Sequence, residues 1–107
     1  MSDSIDPDDF DLPLHDREGN PISFLEAGRL LTDENYRVLR KTWWADVEVS
    51  TVWLPLSLDG WRFETMIFGG PLDERCWRYK DEFSALEGHE AAVQAVKAAV
   101  AREQERR

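Results

Sequence analysis

Basic side chains are in short supply in this chain: 13 Lys and Arg stand against 22 Asp and Glu, for a net charge of −9. Binding along a phosphate backbone needs Lys and Arg to neutralise phosphates, so direct nucleic-acid binding is disfavoured. Anionic membrane surfaces are disfavoured for the same reason. A basic protein partner would instead be attracted and steered. Cysteine is nearly absent: the lone Cys76 can form neither an internal disulfide nor a Cys-rich zinc site, which fits a reducing, cytosolic setting. No apolar run approaches the roughly 20 residues that span a bilayer. The opening Met1-Ser2-Asp3-Ser4-Ile5 has neither the basic start nor the apolar stretch of a signal peptide. Histidine is limited to His15 and His89, and no i, i+4 or short-loop spacing of ligands supports a metal site. No acid, base and nucleophile converge, so the sequence predicts no metal, no cofactor and no catalysis.

Aromatic residues, by contrast, are plentiful. Five Trp and five Phe in 107 residues, with 42% hydrophobic residues, are enough for the core of one small domain. The most informative stretch runs from Val47 to Gly70. Two runs rich in β-branched and aromatic residues, Val47–Leu54 and Trp61–Phe68, flank Asp59-Gly60, a strong hairpin signal. Strands are expected at Tyr36–Trp44, Val47–Leu54, Trp61–Phe68 and Arg75–Tyr79, joined by short turns into a meander. On the first, Tyr36, Val38, Arg40 and Thr42 share one face and Arg37, Leu39, Lys41 and Trp43 the other. Gly69-Gly70-Pro71 reads as a strand terminator. A phosphate cradle would need a helix start and a Lys at the right spacing.

Ser23 and Glu26 match a capping box, and Phe24, Ala27 and Leu31 would share one face of a short helix at helical spacing. Asp81 is the expected N-cap of a long final helix, with Phe83, Leu86, Val93, Val96 and Val100 in one stripe roughly 100° wide. Gly19-Asn20-Pro21 marks a turn, and Phe10–Leu14 a short edge strand limited by Pro13. Residues 1–9 read as a disordered acidic tail and 10–107 as a single α+β domain. The fold expected is a three- to four-stranded antiparallel β-meander packed against a C-terminal amphipathic helix, with a short N-terminal helix.

Candidate contact residues follow from exposure and charge. Trp43 and Trp44 are adjacent in a strand and must point to opposite faces, so one is core and the other exposed or at a seam. Trp is enriched at binding hot spots, which also brings in Trp61. Asp6, Asp8 and Asp9 belong to a tail with five acids in its first eleven residues, either a solubilising segment or a docking arm. Asp46, Glu48 and Glu64 dilute the bases Arg37, Arg40, Lys41 and Arg62 on or near the strands. His89 falls on the helical stripe; its alternatives are a general base paired with Glu48 or Glu64, or a packed histidine at the helix–sheet seam. Cys76, without a second Cys or a nearby His, reads as structural or inert.

Val49-Ser50-Thr51-Val52-Trp53-Leu54, Phe63-Glu64-Thr65-Met66-Ile67-Phe68-Gly69-Gly70, Arg78-Tyr79 and Ala85-Leu86-Glu87-Gly88-His89-Glu90 together resemble a family of small bacteriophage and prophage proteins. The usual motifs there are VSTVWLGLDH, FETMVFGG and RYSTEEEALAGHE. The likeness covers roughly residues 47–95 and implies no enzymatic activity or cofactor. This chain departs from the pattern after Leu54, where Pro55-Leu56-Ser57-Leu58 replaces Gly-Leu-Asp-His, and before the helix, where Lys80-Asp81 replaces Ser-Thr. The resemblance implies a phage-derived protein in the host bacterial cytosol. The preferred function is a non-catalytic binding protein that occludes a host protein or nuclease complex, such as an anti-CRISPR inhibitor of host defence. The second is a structural or assembly protein that self-associates, as a homodimer, through a sheet edge or an exposed Trp.

Overall fold

Alternating β-branched and aromatic residues do form a four-stranded antiparallel sheet in the computed structural model, which describes residues 13–106. The elements run α1 (Phe24–Leu31), α2 (Glu34–Arg37), β1 (Val38–Trp44), β2 (Val47–Trp53), β3 (Phe63–Phe68), β4 (Cys76–Tyr79) and α3 (Glu82–Glu105). Strand order is β1-β2-β3-β4, a meander. The fold is α+β, with α3 and α1 on one side of the sheet. The acidic tail with Asp6, Asp8 and Asp9, and the Phe10–Leu12 part of the expected edge strand, lie outside the described residues. What remains of that strand is an isolated bridge between Leu14 and Leu56.

The covered face is built from alternate residues, although Ser50 on the other face of β2 is buried as well. Val47, Val49, Thr51 and Trp53 of β2 and Phe63, Thr65 and Ile67 of β3 are all buried toward the helices. They pack in two clusters. One joins Val47, Val49 and Ile67 to Ala92, Val93 and Val96 of α3. The other joins Trp53 and Phe63 to Leu30 of α1 and Ala85 of α3. Large side chains come mostly from the sheet and small ones from the helix, so α3 lies close to the strands. Gly88 illustrates the approach: a Cβ there would run into the Tyr79 phenol.

Several expectations need correction. Tyr36 and Arg37 are not in a strand; Asp33 caps a helical turn by accepting from the Tyr36 N–H at 3.3 Å, and β1 starts at Val38. A bulge then opens between Val38 and Arg40, because Val38 pairs with Val52 and Arg40 with the next residue back, Thr51. The extra residue reverses the alternation. Val38 shares a face with Lys41 and Trp43, and not with Arg40 and Thr42. In α1 the buried residues are Ala27 and Leu30, whereas Phe24 and Leu31 are exposed. In α3, Phe83 is 72% exposed. The seated stripe runs through Ala85, His89, Ala92, Val93, Val96 and Ala99. Asp59-Gly60 does not close a two-residue hairpin. Trp53 pairs directly with Phe63, and the chain between them leaves the sheet, carrying a 3-10 turn at Leu58–Gly60 in which Asp59 and Gly60 both have positive φ.

Capping residues behave as their chemistry demands. The Ser23 side chain accepts from the Glu26 N–H at 3.1 Å, and Asp81 accepts from the Ser84 N–H at 2.8 Å. Hydrogen bonds from the Ser84 N–H and hydroxyl hold the Asp81 carboxyl below its ordinary pKa. Glu26 does not complete the capping box; its carboxylate takes Arg29. The turn at Asp16–Asn20 forms, and it delivers His15 and Arg17 to the second cluster. Trp53 Nε1 donates to the His15 carbonyl at 3.0 Å, the Arg17 N–H donates to the Tyr36 hydroxyl at 2.8 Å, and the Arg17 guanidinium pairs with Glu82. These three contacts tie the Asp16–Asn20 turn and its flank to β2, to α2 and to the start of α3.

Candidate functional site

A strand buried on one face presents its alternate residues on the other. Here that second face is covered by none of the described elements. The register arranges it in three rows across the strands. The first is Trp43, Glu48 and Phe68; the second Lys41, Ser50, Met66 and Cys76; the third Val38, Val52, Glu64 and Arg78. Trp43 is 63% exposed and Phe68 45%. Lys41 reaches Glu48 at 3.8 Å, and Arg78 donates from Nε to Glu64 at 3.0 Å. Aromatic and aliphatic groups are thus interleaved with two cross-strand ion pairs. At one end, Arg78 adjoins a shallow apolar groove of about 210 Å³ formed with Leu54, Pro55, Leu56, Leu58 and Trp61.

The sequence candidates divide. Trp43, Glu48 and Glu64 come together on the uncovered face, the two acids neutralised by their basic neighbours. Trp44 points to the helix side, as its adjacency to Trp43 requires, and stacks under Lys97 with the ammonium 4.6 Å from the ring centre. Neither member of the Trp43-Trp44 pair is core; Trp53, 1% exposed, takes that role. Trp61 lies beyond the sheet's end under Lys80, at 4.9 Å. Asp46 is exposed in the β1–β2 turn, next to the Gly69-Gly70 bend. The bases expected near one another separate: Arg40 pairs with Glu90 at 2.7 Å on the helix side, and Lys41 is on the open side. Phe68, Met66 and Val38 escaped the sequence reading. The alternation of Phe63–Phe68 held the signal for the first two, but the bulge hid Val38.

His89 is fully buried at the seam between α3 and the sheet. Its Nδ1 lies 2.7 Å from the Thr51 hydroxyl and its Nε2 2.8 Å from the Thr42 hydroxyl. Thr51 in turn meets Thr65 at 2.5 Å, and the Thr65 side chain is hydrogen-bonded to the Tyr79 hydroxyl. The general-base pairing with Glu48 or Glu64 does not form, because both carboxylates are on the opposite face of the sheet. Burial pushes the His89 pKa below its ordinary value, with Glu90 raising it and Arg40 lowering it further. A neutral imidazole both donates and accepts, which matches two hydroxyl neighbours. Its role is to satisfy a polar seam within an otherwise apolar layer. Burial likewise raises the Tyr79 pKa.

No cavity among those described contains His89. A groove of about 280 Å³ between β4 and α3 is lined by Trp77, Tyr79, Gly88, Ala91, Ala92 and Ala95. Cys76 is an exposed free thiol on β4. Among the described residues no group of three His, Cys, Asp or Glu is placed to hold a metal, and no described helix is long and apolar enough to cross a membrane. What the uncovered face offers chemically is contact: exposed aromatics for desolvation and charge pairs for register. No family model, no curated protein and no solved structure matches this chain.

Proposed function

We propose that this chain is a small, acidic, non-catalytic binding protein of bacteriophage or prophage origin. It works in the host bacterial cytosol by protein contact, and inhibition of a defence system, as an anti-CRISPR protein would inhibit one, is the concrete form. The observation that supports contact over catalysis is the uncovered sheet face, where Trp43 and Phe68 project between ion pairs. The excess of 22 acids over 13 bases supports a partner with a basic surface, since carboxylates on a rigid scaffold compete for sites built to take phosphates. Phage origin rests on the sequence resemblance. Affinity capture by the tagged full chain in the host, read by mass spectrometry, tests the reading. A nucleic-acid-handling protein or complex, released progressively as salt rises, is the expected result. Capture of no host protein in infected cells would remove the inhibitor reading.

Self-association is the second reading, and a different observation favours it. On the uncovered face two bases, Lys41 and Arg78, balance two acids, Glu48 and Glu64, so this surface is neutral on a chain of net charge −9.

A further inference from the structure

We propose that the uncovered sheet face seats a second copy of this chain, the two sheets packed face to face, and that the host partner is met by the acidic remainder of the surface. The inference rests on the reading of that face as a contact surface and names its occupant. Three observations on the face argue for a copy. The first is charge. Two molecules of net charge −9 repel, so they can approach closely only through surfaces without surplus charge. The rows containing Lys41, Glu48, Glu64 and Arg78 are such a surface. A basic partner would gain nothing there, because both acids are already paired.

The second is composition. Trp43, Phe68, Met66, Val52 and Val38 are apolar, and each apolar group on one sheet needs an apolar group opposite it. Stacked sheets supply this by interdigitating at a spacing of about 10 Å with their strands within about 30°. An antiparallel sheet with one helix-covered face can leave the other to water, so it is the exposed Trp43 and Phe68 that call for a cover here. The third is size. Four strands about 4.8 Å apart, with six residues at about 3.3 Å each, span roughly 20 Å by 20 Å. Doubling that area and adding the adjoining Leu54, Leu56, Leu58 and Trp61 groove approaches the lower bound of stable interfaces, about 1,200 Å². The dimer should therefore be weak and concentration-dependent.

Sedimentation velocity on the full chain, from micromolar to near-millimolar concentration and at low and high salt, tests this. Self-association should strengthen with salt, because screening removes the mutual repulsion of the two acidic bodies. Trp43→Ser and Phe68→Lys should each weaken it by about tenfold or more. Leu25→Ser, at an exposed position on α1, should leave it unchanged. Attaching a bulky maleimide to Cys76, exposed on the same face, should block it without any core substitution. A monomer at every concentration overturns the proposal. So does a dimer that ignores both face substitutions, or one that loosens with salt. A monomer whose Cys76 reacts slowly has its own chain covering the face and overturns it equally. If the chain is monomeric and Trp43→Ser abolishes host capture, the contact-face reading stands and the second copy is excluded. If it forms a dimer sensitive to both face substitutions yet captures no host protein, the second copy stands and the inhibitor reading is removed.

Discussion

The two faces of one sheet have opposite characters although the same four strands make both. Toward α3, every inward residue of β2 and β3 is buried, and the largest, Trp53, Phe63 and Ile67, are essentially sealed. On the other side the exposed residues include Trp43 and Phe68, as large as anything in the core. Side-chain size therefore does not distinguish core from contact surface in this molecule. The placement of charge does: the buried part of the covered face holds one polar seam without a formal charge, at His89, and its Arg40–Glu90 pair stays at the exposed margin, whereas the uncovered face carries two ion pairs within its rows. Charged pairs remain stable where water reaches them and contribute little to folding there. They do restrict which partner can cover the apolar groups between them.

The contrast is open to direct test by substitution on each side. Trp53→Ala, on the covered face, should cost about 3–5 kcal/mol of unfolding free energy in urea denaturation. A cost near zero would show that the sheet is not the core. Gly88→Ala should lose about 1–3 kcal/mol, because the new methyl meets the Tyr79 phenol. The loss should shrink when Tyr79 is also trimmed to Leu. Additive costs for the two substitutions would mean that α3 does not approach β4 as closely as described.

The His89 seam makes stability pH-dependent with a definite sign. Its folded pKa lies below the ordinary 6.5, so the unfolded chain binds the proton first. The stabilisation is complete above about pH 6.5 and declines as the pH falls from there toward the folded value, by at most about 1.4 kcal/mol per pH unit for one proton. Urea midpoints compared between wild type and His89→Gln isolate this slope from that of the carboxylates, and parallel curves would refute it. The smallest effect is expected on the open face. Trp43→Ser should change unfolding free energy by about 0.5 kcal/mol or less under dilute conditions. A loss as large as that of Trp53→Ala would mean that the two faces do not differ.

The meander was legible because alternation and turn residues act over short range. The tight β1–β2 turn at Ala45-Asp46 and the cap at Asp81 need only neighbouring residues. The register around Leu39 was not legible: a bulge costs one unpaired residue, and whether it forms depends on what Leu39 and Arg40 gain against Tyr36, Trp53 and Glu90. Phe83 stays off the buried stripe for a related reason. Helical periodicity finds a stripe, but the rotation of α3 on the sheet was decided by fit, and Ala85, Ala92 and Ala99 fit where Phe does not. The candidate site was half legible. Trp43, Glu48 and Glu64 were found separately; that they share a surface follows only from cross-strand register.

By itself the sequence determined the meander order of the strands, the start of the long helix, and the excess of acid. These depend on local backbone preference and on composition, which are properties of the chain before it folds. Only the tertiary structure decided that His89 is closed between threonines and that neither Trp43 nor Trp44, on their opposite sides of the sheet, enters the core. It also decided that a neutral, partly apolar face remains uncovered by the described elements. Those outcomes depend on which surfaces α3 and α1 cover, and helices that can shield one side of a sheet cannot shield the other.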